Sequence, residues 1–306
     1  MMSSVLDISV IILTYNESLH IARAIESVSG LAKRVFVIDA HSSDDTAAIA
    51  KSLGAHVYVN AWINYSRQFQ WALEHCPIDT QWVLRLDADE YLEPELTAEI
   101  RAKLPLLPLT VTGVILKRKY IFLNKLIRHG DRYPLLLLRL WRVGAGGLEP
   151  RWMDEHVILS RGKSVVFEHF FVDHNLRSVS WFIDKHNKYA SREMLDILGE
   201  KYGLFENKSV LPKETGQVYW RRFLKLHLYN KLPVFVRPIF YFIYRYFFRL
   251  GFLDGAVGFA YHFMQGFWYR ALVDLKCLEA ELVIRDAKDK SEIISRLSAL
   301  TGLSLP

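Results

Sequence analysis

The sequence has few cysteines, no glycine-rich nucleotide motif and no basic leader. Its two cysteines, Cys76 and Cys277, lie far apart without metal-site spacing, which argues against a disulfide framework and favours a reducing compartment. No G-x-G-x-x-G follows the first strand-like segment and no Walker A sequence occurs, so a dinucleotide fold and a P-loop are both disfavoured. The short N-terminal apolar run has no basic region before it and does not predict a secretory signal, so we expect a cytosolic protein.

The sequence is rich in hydrophobic residues and carries a net positive charge. Of its 306 residues, 51% are hydrophobic and 13% are aromatic, which is enough for a large core. The formal net charge of +6 suits an anionic partner such as a nucleotide, an acidic membrane or a nucleic acid. Because no recognised nucleic-acid-binding motif occurs, we expect no nucleic-acid partner.

The first third of the chain alternates strand-like and helix-like segments. Apolar, β-branched runs over residues 8–13, 34–39, 56–60 and 81–86 predict four strands, and helical spacing predicts a helix between each pair. This order predicts an α/β fold with a doubly wound, mostly parallel sheet. Strands one, two and four end in polar or acidic residues, which we therefore expect along one edge of the sheet, where such folds bind ligands.

Three carboxylates follow the fourth predicted strand within four residues: Asp87, Asp89 and Glu90. They repel one another unless a cation lies between them. Hard oxygen ligands of this kind suit Mg²⁺ or Mn²⁺ held together with substrate phosphates. Taken alone, so short a pattern is equally typical of a solvated acidic turn. A second acidic group, Asp154 and Glu155, lies about 65 residues further along, directly before His156.

The segments ISVIILTYNE, VIDAHSSDDT and LRLDADE, followed by the later D-E-H group, resemble the family 2 glycosyltransferases with the GT-A fold. The segments HGDRYP, LRLWR, MDEH and DHNLRS resemble more narrowly the lipopolysaccharide-core β-glucosyltransferase and exopolysaccharide glycosyltransferase branch. The resemblance covers roughly residues 7–200. It implies a GT-A catalytic domain over residues 1–215, with a nucleotide-sugar half over about 1–105 and an acceptor half over about 106–215.

The resemblance also implies roles for particular side chains of the nucleotide-sugar half. The base and ribose would be bound by Thr14, Tyr15, Asn16, Glu17 and Asp39, and the diphosphate by Arg67. A carboxylate can accept from an imide N–H such as uracil offers, and an aromatic ring can cover a base, so a UDP-sugar donor is favoured. Asp89 would bind Mg²⁺ or Mn²⁺ directly, Asp87 would hold the ribose or a metal-bound water, and His156 is a further candidate ligand. A capping turn at residues 14–17 and a surface arginine at residue 67 are the structural alternatives.

In the resembled family, the metal stabilises the leaving nucleoside diphosphate and a carboxylate acts as general base, so transfer inverts the anomeric centre. The candidates for the base are Asp154 and Glu155, and the choice between them stays open because the family more often has the order Glu-Asp. An ion pair with a nearby arginine is the alternative role.

Arg128, His129 and Arg132 lie between the metal motif and the base, where the family binds its acceptor. Positive charge there would suit an anionic, lipid-linked or lipopolysaccharide-type acceptor, although a solvated basic face has the same composition.

Residues 232–268 are unusually apolar and aromatic but are interrupted by charges. A spanning helix needs ~20 mostly uncharged residues, and neither half of this segment provides them. On a helical wheel Arg237, Arg245 and Arg249 lie on one side, and the apolar side includes Phe242 and Tyr246. This pattern predicts an interfacial helix whose arginines contact the anionic headgroups of the inner leaflet.

We therefore expect residues 216–306 to form membrane-associated helices and a tail. The protein would act at the cytoplasmic face of the inner membrane, as a peripheral or monotopic protein. Packing on the catalytic domain and a dimer interface are the alternatives for these helices.

Together these features predict an inverting, metal-dependent glycosyltransferase. It would move a sugar from a nucleotide-sugar, with a UDP-sugar favoured, to a lipid-linked or lipopolysaccharide-core type glycan. One alternative is a nucleotidyltransferase of similar sheet architecture, which would carry a glycine-rich basic loop where this chain has TYNESLH. The other is a non-catalytic membrane-binding module, which would not need the acidic residues at the strand ends.

Overall fold

The computed structural model describes residues 5–149, 156–205 and 233–305. The chain divides into two compact units. Unit 1 comprises residues 1–128, 132–149 and 155–176, and unit 2 comprises residues 129–131, 150–154 and 177–306. The domain boundary expected at residues 215 and 216 lies outside the described residues.

The described part of unit 1 contains strands and helices in close alternation. The strands are β1 (Leu6–Thr14), β2 (Ala32–Asp39), β3 (His56–Val59), β4 (Trp82–Asp87), β5 (Glu90–Leu92), β6 (Val111–Phe122), β7 (Lys125–Leu126), β8 (Leu135–Arg142), β9 (Gly146–Leu148), β10 (Val157–Leu159) and β11 (Lys163–His174). The helices are α1 (Ile21–Val28), α2 (Thr46–Ser52), α3 (Tyr65–His75) and α4 (Pro94–Lys103).

Nine of these strands form one mixed sheet in the order β3-β2-β1-β4-β8-β6-β11-β5, with β7 paired to β6. Strands β3, β2, β1 and β4 are parallel, as the alternation of strands and helices predicts. Beyond β4, strand β8 runs antiparallel to both β4 and β6, and β5 runs antiparallel to β11. The expectation of a mostly parallel sheet is therefore correct for the first half only. No helix lies between β6 and β8, and strands joined without a helical crossover pair antiparallel.

The parallel half of the sheet is buried on both faces. Val10 and Ile12 of β1 pack in one core with Ala24 of α1, whereas Ile11 packs in a second core with Phe69 of α3. All five side chains have no exposed surface. The continuous apolar run of β1 correctly predicts this two-sided burial, because an alternating pattern is expected only where one face meets water.

The strand register brings the carboxyl ends of the parallel strands together. Thr14 pairs with Asp39, and Leu13 pairs with Asp87. The polar residues that end β1, β2 and β4 therefore lie along one edge, as their positions in the sequence predict. Strand β11 ends near the same motif, because its Asp173 pairs with Glu90 of β5.

The described part of unit 2 is helical. Its helices are α5 (Val179–Tyr202), α6 (Val236–Ile243), α7 (Gly255–His262), α8 (Tyr269–Ile284) and α9 (Lys290–Thr301), with wider π-helical turns at Tyr244–Phe248 and Phe263–Trp268. Buried residues of α5, α8 and α9 form one apolar core. Across the described ranges, no helix is both long enough and apolar enough to cross a bilayer.

Candidate active site

The carboxylate of Asp39, at the end of β2, accepts hydrogen bonds from β1 and from the loop that follows β2. Thr14 Oγ1 donates to Asp39 Oδ1 at 2.9 Å. The backbone N–H and the hydroxyl of Ser42 donate to the same carboxylate at 2.8 and 2.5 Å. Asp39 is 2% exposed. An ionised carboxylate offers about four lone-pair sites, so three donors leave room for one more hydrogen bond.

The turn after β1 is held by the loop after β2. Asn16 adopts a left-handed backbone conformation with φ 55°, which asparagine tolerates better than most residues. Its backbone N–H donates to Ser42 Oγ at 2.8 Å, and its side-chain oxygen accepts from the N–H of Ser43 at 2.8 Å. Beside this fixed turn the ring of Tyr15 is 60% exposed. An accessible aromatic side chain therefore directly follows Thr14, which bonds to the Asp39 carboxylate.

Glu17 is tied to the buried imidazole of His20. The backbone N–H of Leu176 donates to His20 Nε2 at 2.9 Å, so the ring proton lies on Nδ1. This Nδ1–H donates to Glu17 Oε2 at 2.6 Å. Glu17, which the family resemblance places against the nucleotide, thus also links the start of α1 to the segment after β11.

Asp87 lies among two arginines and a tyrosine. The Tyr65 hydroxyl donates to Asp87 Oδ1 and itself accepts from Arg85 Nε at 2.9 Å. Arg85 Nε lies 3.5 Å from Asp87 Oδ1, and Arg139 Nη2 lies 3.5 Å from Asp87 Oδ2. Burial by itself raises the pKa of Asp87, but Arg85 and Arg139 outweigh burial and hold the pKa below its usual range. Asp87 is therefore an ionised carboxylate whose oxygens already have protein partners.

Glu90 forms a buried ion pair with the same arginine. Arg139 Nη2 donates to Glu90 Oε1 at 2.6 Å, and Glu90 Oε2 accepts the backbone N–H of Asp87 at 2.9 Å. Glu90 is 1% exposed and Arg139 is 5% exposed. Burial raises the pKa of Glu90, and Arg139 opposes this rise. Arg139 was not singled out from the sequence, although a charged residue within the apolar LLLLRLWR strand indicates a buried partner.

Asp89 is oriented by residues from α1 and from the end of β11. Asn175 Nδ2 donates to Asp89 Oδ2 at 2.9 Å. The backbone carbonyl of Asp89 accepts from the N–H of His174 at 3.0 Å and from Arg23 Nη2 at 3.3 Å. Arg23 also donates to the carbonyl of His174 at 2.6 Å. The D-A-D motif, the D-H-N segment and α1 therefore form one connected cluster.

His174 is held as a neutral imidazole in this cluster. Its Nε2 lies 3.0 Å from Asn124 Oδ1, an acceptor, so Nε2 carries the proton and Nδ1 faces Arg23 Nη1 at 3.3 Å. Burial, together with the charges of Arg23 and His20, lowers the pKa of His174. Both ring nitrogens therefore have partners within the protein, and His174 contributes to the cluster as a positioning residue.

Other predicted site residues lie apart from this cluster or outside the described residues. Arg67 is exposed in the first turn of α3, where its backbone N–H is capped by Asn64 Oδ1 at 2.8 Å. His156 lies beside the β9–β10 hairpin, and its carbonyl accepts the N–H of Glu149 at 2.9 Å. The candidate bases Asp154 and Glu155 lie outside the described residues.

The described residues do not provide a complete set of protein ligands for a metal. Across these ranges, no three or more histidine, cysteine, aspartate or glutamate side chains are grouped so that they could hold an ion by themselves. The trio Asp87, Asp89 and His156 is therefore not such a set. A metal at this edge would need oxygen atoms from a bound ligand or from water, as is usual for Mg²⁺ at phosphate sites.

The residues proposed for the acceptor fall in both units. Arg128 is exposed and Arg132 is half-buried, and both belong to unit 1. His129 belongs to unit 2, where its N–H and its Nδ1 contact the two oxygens of Asp254 at 2.9 and 2.8 Å. Because Asp254 is 4% exposed, His129 is anchored to the interior of unit 2.

The arginines expected at a membrane surface bind groups of unit 2 itself. Arg237 Nε donates to the carboxylate of Asp274 at 2.9 and 3.1 Å. Arg245, 2% exposed, donates through Nε to the carbonyl of Gly130 at 3.1 Å. Arg249 Nη2 donates to Asp131 Oδ1 at 3.0 Å. Arg237 and Arg245 thus lie inside unit 2 because their polar partners are there, rather than on a headgroup-facing side.

The residues predicted for the apolar side of the same helix are only partly exposed to solvent. The rings of Phe242 and Tyr246 stack with their centroids 5.3 Å apart, and both residues are half-buried. They therefore pack along the helix, and more exposed neighbours form its outer surface.

One segment of the chain matches the model of a known protein family. Residues 9–141 match the family model Glycosyl transferase family 2. This segment contains Asp39, Asp87, Asp89 and Arg139, and it is similar to a family 2 glycosyltransferase domain. The match begins within β1 and ends within β8.

Curated relatives agree with this class. The chain is 40% identical over 144 residues to an uncharacterized glycosyltransferase of Rickettsia prowazekii, covering 47% of this chain and 41% of the relative. It is 50% identical over 93 residues to an uncharacterized glycosyltransferase of Rickettsia typhi, covering 30% of this chain and 31% of the relative. The chain thus spans less than half the length of these relatives. The family match and the relatives support a glycosyltransferase.

Solved structures also match part of the chain. A glucosyl-3-phosphoglycerate synthase from Mycobacterium tuberculosis, in complex with Mn²⁺, UDP and phosphoglyceric acid, matches 37% of this chain and 43% of its own, with 25% identity and a TM-score of 0.31. A mannosyl-3-phosphoglycerate synthase from Rubrobacter xylanophilus matches 39% of this chain and 42% of its own, with 24% identity and a TM-score of 0.31.

Proposed function

We propose that the protein transfers a sugar from a nucleotide-sugar to a glycan acceptor, in a metal-dependent reaction that inverts the anomeric centre. One observation carries this proposal: Asp39, Asp87 and Asp89 converge at one edge of a sheet whose residues 9–141 match a glycosyltransferase family. A nucleotidyltransferase has no comparable support, because the turn after β1 is held by side chains rather than by a glycine-rich basic loop.

A UDP-sugar is the favoured donor. The Asp39 carboxylate has one acceptor site left beyond its three protein donors, which suits the imide N–H of uracil. The exposed ring of Tyr15 can cover the face of the base. Thr14 and Asn16 fix the shape of this turn, so they position the base pocket whether or not they touch the nucleotide.

Asp89 is the residue that we expect to bind Mg²⁺ or Mn²⁺ directly. Its neighbour Asp87 is already engaged by Tyr65, Arg85 and Arg139, which suits a contact to the ribose or to a metal-bound water better than direct ligation. His156 lies apart from this cluster, so the remaining ligands would come from the diphosphate of the donor and from water. When bound, the ion would supply Lewis-acid stabilisation of the leaving diphosphate.

Asp154 or Glu155 would remove the proton from the acceptor hydroxyl as it attacks the anomeric carbon. We further propose that the acceptor is an anionic lipid-linked or lipopolysaccharide-core type saccharide, contacted by Arg128 and Arg132. An acceptor of this kind would place the enzyme at the cytoplasmic face of the inner membrane, as a peripheral or monotopic protein.

Donor hydrolysis tests the proposal. Purified protein in detergent would be given UDP-sugars and GDP-sugars separately, with Mn²⁺ or Mg²⁺, and release of the nucleoside diphosphate would be followed. We expect release with a UDP-sugar, lost with EDTA and in Asp89→Ala. The matched control is Asp79→Ala, because Asp79 is an exposed carboxylate of the same unit in a surface ion pair with Arg34. Release that persists in Asp89→Ala would contradict the assigned site.

A further inference from the structure

The helix that begins at Val236 buries its charged side and exposes apolar side chains. A helix on the surface of a water-soluble domain has the reverse arrangement. Its charged residues point inward: Arg237 and Arg245 have side chains 13% and 2% exposed and bind Asp274 and the carbonyl of Gly130. A surface helix normally buries its apolar face and exposes its charges. Here the interior of unit 2 supplies the polar partners, so the apolar side is left outside.

We define the apolar surface of unit 2 by six residues between positions 239 and 253. They are Ile239 (46% exposed), Phe240 (56%), Phe247 (55%), Phe248 (75%), Leu250 (47%) and Leu253 (55%). Phe240 and Phe248 lie eight residues apart, two helical turns, and therefore share a side of the helix. Exposed apolar residues grouped in this way mark a binding surface rather than ordinary scatter.

The charges near the apolar surface favour a lipid bilayer as its partner. Residues 233–268, all of them described, contain three arginines and one acid, Asp254. Asp254 is 4% exposed, and Arg237 and Arg245 are turned inward. The charged side chain left at the surface of this segment is Arg249, which is 47% exposed. The segment thus exposes aromatic and aliphatic groups and one cation, Arg249, whose charge is paired with Asp131. A largely apolar surface with little net charge complements the boundary between acyl chains and headgroups.

We propose that the apolar surface inserts into the acyl boundary of a bilayer, with the helix lying in the plane of the interface. This inference rests on the proposed function only for the identity of the membrane, which would hold the lipid-linked acceptor. Binding is driven by burial of apolar side chains, because the arginines expected to contact headgroups are already paired within the protein. Anionic lipid is therefore not required, and salt has little effect.

Vesicle flotation of the full chain tests this mode of binding. Vesicles of phosphatidylcholine alone, and of phosphatidylcholine with phosphatidylglycerol, would be compared at low and high salt. We expect comparable binding to both, retained at high salt. The variant Phe240→Ser with Phe248→Ser would lower vesicle affinity by about tenfold or more, because two inserted rings are lost. The control is Leu106→Ser with Leu109→Ser, since these leucines of unit 1 are 81% and 84% exposed.

Two results would overturn the inference. Binding only to anionic vesicles, lost at high salt, would show that headgroup electrostatics hold the protein. A dimer that dissociates in the Phe240→Ser, Phe248→Ser variant, without vesicle binding by the wild type, would show that a second copy covers the surface. Donor hydrolysis by wild-type protein in detergent separates this question from the proposed function, because its failure would reject the glycosyltransferase site and leave the vesicle result standing.

Discussion

Arg139 Nη2 lies 2.6 Å from Glu90 Oε1 and 3.5 Å from Asp87 Oδ2, so one buried guanidinium joins two carboxylates of the LDADE segment. Glu90 in turn accepts the backbone N–H of Asp87. Strand β8 therefore positions the acidic motif that ends β4, although 49 residues separate Arg139 from Glu90.

Replacing Arg139 tests this relationship. Arg139→Met leaves Glu90 buried without its cation, so we expect a loss of about 3–5 kcal/mol in the free energy of unfolding. The double variant Arg139→Met with Glu90→Met removes this pair and should recover part of the loss, because Asp87 still lacks Arg139 and the acceptor of its N–H. Urea denaturation measures both. Arg142→Met is the control on the same strand, because Arg142 donates to backbone carbonyls of Val111 and Leu107. A loss in Arg139→Met no larger than in the control would reject the buried pair.

Asn175 is expected to orient Asp89 for metal binding. Asn175→Ala removes the 2.9 Å hydrogen bond to Asp89 Oδ2, and loss of such an outer contact typically weakens metal affinity about tenfold to hundredfold. The measurement is the Mn²⁺ concentration that gives half-maximal donor hydrolysis. Gln70→Ala, which removes an exposed carboxamide on α3, should leave this concentration unchanged. Equal values for both variants would mean that Asn175 does not act through Asp89.

Gly130 is required in unit 2 for two separable reasons. Its φ is +71°, and a Cβ there would lie 2.1 Å from the ring of His262. Gly302 has a similar φ of +68° but open space around it. Gly302→Ala should therefore cost only the backbone strain, about 1–2 kcal/mol, whereas Gly130→Ala should cost a further ~1–3 kcal/mol from overpacking. Thermal unfolding compares the two, and equal costs would show that His262 moves aside freely.

His186 makes unit 2 sensitive to acid. Its Nδ1–H donates to the carbonyl of Phe182 at 2.8 Å, and its Nε2 accepts from Gln265 at 2.5 Å. Burial lowers the pKa of His186 from 6.5 to about 4. The unfolded state therefore binds more protons between these pH values, and stability falls as the pH drops through this window, by up to about 3 kcal/mol.

The pH dependence of unfolding checks this prediction. Wild-type protein should lose stability between pH 6.5 and about 4, and His186→Gln should lose less over the same range. Parallel curves for the two proteins would show that His186 does not carry the effect.

The sequence predicts one half of the sheet well, for physical reasons. Buried apolar runs alternate with helical spacing up to β4, and right-handed crossovers then leave few arrangements. The orientation of β8 and β5 depends on pairings between distant residues, which local patterns do not contain. The same limit applies to the site. The strand-end acids Asp39, Asp87 and Asp89 follow from strand positions, whereas Arg139 and His20 acquire roles only from partners far along the chain.

The C-terminal helices show a second limit. The helical wheel places Arg237, Arg245 and Arg249 on one side, and the structure buries Arg237 and Arg245 but leaves Arg249 47% exposed. Periodicity alone does not say which side of a helix faces inward. The arginine side faces inward because Asp274 and the carbonyl of Gly130 bind Arg237 and Arg245.

Isothermal titration of UDP is the most direct test of the central claim that Asp89 organises a metal-dependent nucleotide site. Wild-type protein, Asp89→Asn and Asp79→Asn would each be titrated with and without Mn²⁺. We predict that wild-type protein and Asp79→Asn bind UDP only when Mn²⁺ is present, and that Asp89→Asn loses this binding. Equal, metal-independent binding by all three proteins would contradict the account.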